Sequence, residues 1–176
     1  MLFKNILIFL SILALPCFVH SEEYTTDLNL VLRQVNQLVP EAQCKIEQSE
    51  QRIICLNGYM PVSWDSHNRY IFIYPVLEVK SRHVADVWTI ITNTTKSKPA
   101  KRGQFQSELM LVRFDCANKT MKLRQAMKLS GRYALGDYLG QDPGVHQPPT
   151  SCCAPGTSIR EVQRYVEAYL RIVYQQ

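Results

Sequence analysis

The sequence predicts an α+β fold, in which an antiparallel β-sheet is combined with an N-terminal and a C-terminal helix and is disulfide-bonded. Two observations indicate the fold class: apolar residues recur at helical spacing near each end of the chain, and the segments between them are β-branched, aromatic or alternating. The disulfides follow from a third observation, because five cysteines lie downstream of a segment that is typical of export signals.

The first 21 residues are interpreted as a signal peptide. Lys4 precedes a largely apolar run from Ile6 to Leu15, which is shorter than the roughly 20 residues that a membrane-spanning helix needs. A lipoprotein anchor at Cys17 is disfavoured, because Pro16 stands where lipid-attachment signals usually carry a small residue. We therefore expect an exported protein, in the periplasm or at the outer cell surface, with no transmembrane span in the mature chain.

Size and charge restrict the function. The chain has 176 residues and a formal net charge of +5, and removal of the signal peptide leaves 155 residues and a charge of +4. This is enough for one compact domain, which we divide into a helix and cysteine hairpin over 22–68 and a sheet with the last helix over 69–176. The mildly basic charge suits anionic surfaces or acidic partners, and it falls short of what a nucleic-acid-binding protein carries. No cofactor is predicted.

The cysteines predict disulfides rather than a metal site. Cys44 and Cys55 bracket a polar turn between two short apolar segments, which predicts a hairpin closed by its own disulfide. Cys116 should then pair with Cys152 or with Cys153, because two adjacent cysteines seldom bond to each other. No Cys-x-x-Cys motif is present, and a single histidine lies near the adjacent pair, so metal binding is disfavoured.

The first third of the chain predicts a helix, the cysteine hairpin and a loop, in that order. Asp27 stands before the helix and Pro40 ends it. The apolar residues of this helix form one stripe: Leu28, Val31, Leu32, Val35, Leu38 and Val39. After the hairpin, residues 57–68 contain a glycine and a proline, and they predict a turn-rich loop.

Four strands are predicted in the middle of the chain, over residues 70–74, 84–92, 106–116 and 120–133. A basic loop at 96–103 separates the second from the third. A two-residue turn at Asn118-Lys119 should join the last two strands, with Arg113 opposite Arg124. The fourth strand alternates with period two, with Met121, Leu123, Met127 and Leu129 on one face and Lys122, Arg124, Lys128 and Arg132 on the other.

The end of the chain predicts a loop and a helix. Residues 136–155 are rich in glycine and proline, and a capping box from Ser158 to Glu161 then opens the helix. Its predicted core face consists of Ile159, Val162, Val166, Tyr169 and Val173.

Several short motifs occur in an ordered series in the second half of the chain. They are Tyr74-Pro75, Val87-Trp88, the basic proline-containing loop, Ser107, Asp115-Cys116, the basic strand to Tyr133, Gly136 and Pro155-Gly156-Thr157-Ser158. In this order and spacing, residues 69–169 resemble the bacterial surface-adhesin protein E-like family. The resemblance implies an antiparallel sheet, a cell-envelope location, no catalytic residues and adhesion to host extracellular glycoproteins. In that family the strand-end cysteine typically bonds to a cysteine in or near the last helix, so Cys152 or Cys153 would substitute here.

No catalytic apparatus is visible. Asp65-Ser66-His67 has the residue types of a hydrolase triad, but such triads assemble from separate segments, and the Gly-x-Ser-x-Gly elbow is missing. We therefore predict a protein that is not an enzyme.

Basic residues form the predicted binding surface. Directly opposed like charges destabilise a sheet, so their concentration on one face favours an anionic ligand, the alternative being an ordinary solvated face. The ligand would be an anionic glycan or an acidic host or envelope protein, and the leading hypothesis is adhesion. A periplasmic accessory or inhibitor protein is the alternative. The candidate anion-binding residues are Lys96, Lys98, Lys101, Arg102, Arg113, Lys122, Arg124, Lys128 and Arg132.

Overall fold

An antiparallel sheet between two helices forms the centre of the protein. The computed structural model describes residues 27–64, 68–97, 104–151 and 159–175. Within these residues there are two α-helices, an eight-stranded antiparallel sheet and a two-stranded hairpin, so the predicted α+β fold class is confirmed. Several predictions concern residues outside the described ones: the signal peptide with Cys17, Asp65-Ser66-His67, the loop residues Lys98, Lys101 and Arg102, and Cys152 and Cys153.

The N-terminal helix, α1, spans Leu28–Leu38. The Asp27 carboxylate accepts a hydrogen bond of 2.9 Å from the backbone N–H of Asn29, as expected for a cap. Pro40 opens a short 3₁₀ turn directly after the helix. The predicted helix, its cap and its end are therefore confirmed.

The cysteine hairpin consists of β1, Lys45–Glu47, and β2, Arg52–Ile54, paired antiparallel. The predicted Cys44–Cys55 disulfide closes it. The side chain of Asn36 donates to the carbonyl of Cys44 at 2.8 Å and accepts from its backbone N–H at 2.9 Å. These two hydrogen bonds fix the hairpin against α1.

Eight strands make the large sheet. In spatial order they run β10-β8-β7-β6-β4-β3, with β5 paired to β6 and β9 to β8. Their bounds are β3 Met60–Trp64, β4 Arg69–Ile73, β5 Glu78–Ser81, β6 Val84–Asn93, β7 Ser107–Asp115, β8 Thr120–Leu129, β9 Tyr138–Gln141 and β10 Thr150–Ser151. The prediction of loops over 57–68 and 136–155 was wrong in part, because these segments contain β3, β9 and β10. Pro61 is compatible with β3 because β3 ends the sheet, where proline's missing N–H is tolerated.

Each helix covers one face of the sheet. The C-terminal helix, α2, spans Ile159–Gln175, and its Val162, Val166 and Leu170 pack on one face together with β-strand residues that include Val87 and Phe114. On the opposite face α1 packs on Tyr70, Phe72 and Ile90. The predicted core face of α2 was wrong at one position: Val173 is 41% exposed, and Leu170 is buried instead.

The β7–β8 hairpin has a different register from the predicted one. Arg113 lies opposite Lys122, and Asp115 lies opposite Thr120, so the predicted pairing of Arg113 with Arg124 was wrong. The connection is longer than a two-residue turn, because the Asp115 carboxylate accepts hydrogen bonds from the backbone and side chain of Asn118, at 3.0 and 2.8 Å, and closes a wider turn.

A β-bulge interrupts β8. Leu111 pairs with Gln125 and Val112 pairs with Leu123, which leaves Arg124 as an extra residue on β8. A bulge of this kind shifts the alternation of side chains by one residue. The single alternation predicted from 121 to 129 therefore does not occur.

Candidate functional site

The basic residues of β8 lie on both faces of the sheet. Lys122 is opposite Arg113, and Lys128 is opposite Glu108. Residues 108 and 113 are an odd number of positions apart on β7, so their side chains point to opposite faces. Lys122 is therefore on the α1 side and Lys128 on the α2 side. The predicted common face of Lys122, Arg124, Lys128 and Arg132 was wrong, because the bulge at Arg124 shifts the alternation.

Arg113 is engaged with a buried carboxylate. Its Nε and Nη2 atoms donate to the two oxygens of Asp86 at 2.7 and 2.8 Å, and the Asp86 side chain is only 4% exposed. The hydrogen bond to Asp86 raises the pKa of Arg113. The guanidinium thus compensates a buried negative charge, and it adds no net charge to the surface.

Lys128 and Arg132 are also paired. Lys128 Nζ lies 2.8 Å from Asp142 Oδ2 and 3.8 Å from Glu108 Oε1, and it lies 4.9 Å from the centroid of the Phe105 ring. The hydrogen bond between Lys128 and Asp142 raises the pKa of Lys128 and lowers the pKa of Asp142. Arg132 Nη1 donates to Glu41 Oε1 at 3.2 Å. Internal carboxylates therefore neutralise both cations.

Lys122 and Arg124 differ from these residues. Within the described part of the chain, no carboxylate lies within ion-pairing distance of either one, and Arg124 is exposed.

Lys96 lies at the other end of the sheet from Arg113. It follows the last residue of β6, Asn93, and this end of β6 pairs with the start of β7 at Ser107. Ser107 and Arg113 are six residues apart on β7, or about 20 Å. Lys96 and Arg113 thus lie near opposite ends of the sheet.

Among the described residues, the core between α1 and the sheet does not extend over the whole of the face on the α1 side. The core on this side extends to Ile90, and the next row across the strands is Trp88, Leu111 and Gln125. The row after that is Asp86, Arg113 and Lys122. We call this surface the open sheet face and define it by six residues: Trp88, Leu111, Arg113, Lys122, Arg124 and Gln125.

Aromatic residues border the open sheet face. The backbone N–H of Tyr74 donates to the carbonyl of Trp88 at 2.9 Å, and Tyr74 is 37% exposed. Its ring lies edge-on to Tyr59 at 5.6 Å. Sequence reasoning named Tyr74 and Trp88 as part of the family resemblance, but it did not assign them to a surface. Their position on the same side of the sheet as Lys122 depends on strand pairing between distant segments.

A second basic surface was not predicted at all. A cleft of about 440 Å³ lies where the β5–β6 and β7–β8 turns meet the last turn of α2, and it is lined by Arg82, His83, Lys119 and Arg171, among others. Arg82 and Arg171 are 89 positions apart in the sequence, so no local pattern could join them.

The described residues contain no arrangement typical of a metal centre. In the four described ranges, no three His, Cys, Asp or Glu side chains come together as ligands for an ion. No helix among these residues is both long and apolar enough to span a bilayer.

Comparison with known proteins gives one match. The model of the family described as surface-adhesin protein E matches residues 59–166. This segment contains the whole eight-stranded sheet and the first part of α2, and it excludes α1 and the cysteine hairpin. No curated protein and no solved structure matches the chain.

Proposed function

Because the chain belongs to the surface-adhesin protein E family, we propose that it is an exported, non-catalytic binding protein that attaches to acidic segments of host extracellular glycoproteins through the open sheet face. The observation that carries this proposal is the position of Lys122 and Arg124, two cations with no ion-pair partner among the described residues, beside a row that begins with Trp88.

The composition of the open sheet face suits a protein interface. Tryptophan, tyrosine and arginine dominate the binding energy of interfaces, and Trp88, Tyr74 and Arg113 lie within this small area. Trp88 and Leu111 are partly buried, so they are held in place before a partner arrives and lose little side-chain entropy on binding. They would provide the apolar contact area.

The charge balance of the face favours an acidic partner. Asp86 is bound by Arg113, and Glu78, its neighbour on β5, is bound by Lys80 Nζ at 2.9 Å. The opposite charges within each pair cancel, so the net positive charge of the surface comes from Lys122 and Arg124. Cations at a protein surface raise association rates and select partners of opposite charge.

The test is a double charge reversal with a matched control. Lys122→Glu with Arg124→Glu should weaken binding of the mature protein to an immobilised basement-membrane extract by about tenfold or more at physiological salt. Arg33→Glu with Lys45→Glu is the control, because both residues are exposed, lie on α1 and β1, and change the net charge by the same amount.

The outcomes separate the possibilities. Equal loss of binding in both variants would mean that net charge alone decides binding. Unchanged binding in the Lys122 and Arg124 variant would refute the role of the open sheet face. Both variants should keep the melting temperature of the wild type, because none of the four side chains forms an ion pair with another described residue.

A further inference from the structure

We propose that the cleft at the end of the sheet is a second binding site, which takes a sulfate or phosphate ester carried on a sugar. It lies on the α2 side of the molecule and is separate from the open sheet face. Its chemistry comes from three elements: Arg82 and His83 from the β5–β6 turn, Lys119 from the β7–β8 turn, and Glu167, Arg171 and Tyr174 from α2.

The walls of the cleft are held in a fixed relation. The backbone N–H of Cys116 donates to the carbonyl of His83 at 2.8 Å, and this bond joins the two turns. The Asp115 carboxylate closes the β7–β8 turn through its two hydrogen bonds from Asn118. On the third side, Leu170 is 4% exposed and anchors the last turns of α2 in the core. A site whose parts are already in place loses little free energy to ordering when a ligand binds.

The charge of the cleft is positive. Among the described residues that line the cleft, Arg82, Lys119 and Arg171 are cations, and Glu167, which accepts a hydrogen bond of 2.8 Å from Gln163, is the carboxylate. In the described ranges, neither Arg82 nor Arg171 has a carboxylate within ion-pairing distance. Two guanidinium groups at one cleft, neither held by an internal carboxylate among these residues, favour an anion between them.

The arrangement suits a tetrahedral oxyanion better than a carboxylate. A planar carboxylate is satisfied by one guanidinium fork, whereas a sulfate or phosphate ester has three terminal oxygens. Here two guanidinium groups and one ammonium group line the cleft from three different elements. Cations on separate elements suit the separate oxygens of an ester group.

The remaining lining indicates a sugar as the carrier of the ester. A cleft of about 440 Å³ is within the range of small-molecule sites and is larger than an isolated oxyanion requires. Tyr174 is 46% exposed on its wall, and Leu170 lies at its side. An exposed ring of this kind offers an apolar face and a polar hydroxyl, which matches the C–H face and hydroxyl groups of a sugar ring.

The first experiment measures ligand class by isothermal titration of the mature protein. The probes are a sulfated heparin disaccharide, the same disaccharide without sulfate, glucose 6-phosphate and inorganic sulfate. We expect both esters to bind, the unsulfated disaccharide not to bind, and inorganic sulfate to bind about tenfold more weakly than the esters. Comparison of the sulfated and phosphorylated probes identifies which ester the cleft prefers. Failure of both esters to bind, or equal binding of the unsulfated sugar, would overturn the proposal.

The second experiment locates the site. Arg82→Gln with Arg171→Gln should weaken ester binding by about tenfold or more, since each variant side chain loses a charge-assisted hydrogen bond. Tyr174→Ala should weaken binding of the sugar esters and leave binding of inorganic sulfate unchanged. Lys122→Gln with Arg124→Gln, on the open sheet face, is the matched control and should bind the esters as the wild type does.

These variants also separate the two proposals. Loss of ester binding in the open-face control, with normal binding in the Arg82 and Arg171 variant, would refute the cleft. If Tyr174→Ala binds the esters as tightly as the wild type, the cleft binds oxyanions without contacting the sugar, and the proposed ligand class is wrong. All three side chains are exposed, so the variants should fold normally, and their melting temperatures check this.

Discussion

Replacement of Arg113 by Met tests how the structure holds a buried charge under the open sheet face. Asp86 is 4% exposed and receives two hydrogen bonds from Arg113, whose side chain is 33% exposed. In Arg113→Met, the Asp86 carboxylate stays buried and loses both donors. Removal of one partner of a buried ion pair typically costs 3–5 kcal/mol.

The lower end of this range applies here. Lys80 Nζ lies 3.9 Å from Asp86 Oδ2 and retains part of the compensation after the substitution. We therefore expect Arg113→Met to lower the free energy of unfolding by about 3 kcal/mol. For a domain of this size each kcal/mol corresponds to about 3 °C, so the melting temperature should fall by about 9 °C.

Substitution of the other partner, Asp86, should lower the free energy of unfolding by a smaller amount. In Asp86→Val the guanidinium of Arg113 loses its partner, but its partial exposure lets it turn toward water. The double variant, Asp86→Val with Arg113→Met, removes both charges and should recover most of the loss in the single Arg113 variant.

Urea unfolding measures the free energy of unfolding of four proteins: the wild type, the two single variants and the double variant. The reasoning would be refuted by a double variant that is as unstable as Arg113→Met alone. It would also be refuted by an Arg113→Met protein with wild-type stability, since Asp86 would then need no partner.

Three further predictions concern the core, the acid stability and the cysteines. Val166→Asp should lower the free energy of unfolding by several kcal/mol, about 3–5, because the side chain is 0% exposed, while Val173→Asp, at an exposed position of the same helix, should change it little in a urea titration. The pKa of Asp142 is lowered by the hydrogen bond to Lys128, so its contribution to stability is present above the ordinary carboxyl pKa of about 4 and is lost as the pH falls through the lowered value. Asp142→Asn should therefore be less stable than the wild type at pH 7, with a difference that shrinks toward strongly acid pH in parallel unfolding curves. Mass mapping of non-reduced peptides should join Cys116 to one of the two adjacent cysteines, and a link between Cys116 and a cysteine of the hairpin would contradict this prediction.

Elements with a strong local pattern could be predicted from the sequence. Helix α1 has an apolar stripe between a capping aspartate and a proline, and the hairpin has two cysteines around a polar turn. Strands β4 and β6 are rich in β-branched and aromatic residues, and β7 is largely apolar from Leu109 to Phe114. Such signals reside within a few neighbouring residues, so no knowledge of distant contacts is needed to recognise them.

The short strands could not be predicted in this way. Strands β5, β9 and β10 have two to four residues each, and β3 contains Pro61. Each forms because a longer strand offers unpaired backbone groups beside it: β6 for β5, β4 for β3, and β8 for β9 and β10. The driving force lies in the partner strand, and therefore not in the local sequence.

The basic residues show the same limit at the level of the site. The sequence by itself determined that they are present on β7 and β8, that the strands form an antiparallel pair, and that the chain has the motifs of the surface-adhesin protein E family. Which of them share a face was decided by the tertiary structure. The extra residue at Arg124 places Lys122 and Lys128 on opposite faces. Carboxylates on other strands and loops then neutralise Arg113 and Lys128, while α2 brings Arg171 to the same cleft as Arg82. The physical reason is that side chains alternate with period two along a strand, so a shift of one residue in the pairing exchanges the two faces, and that shift depends on contacts between distant segments.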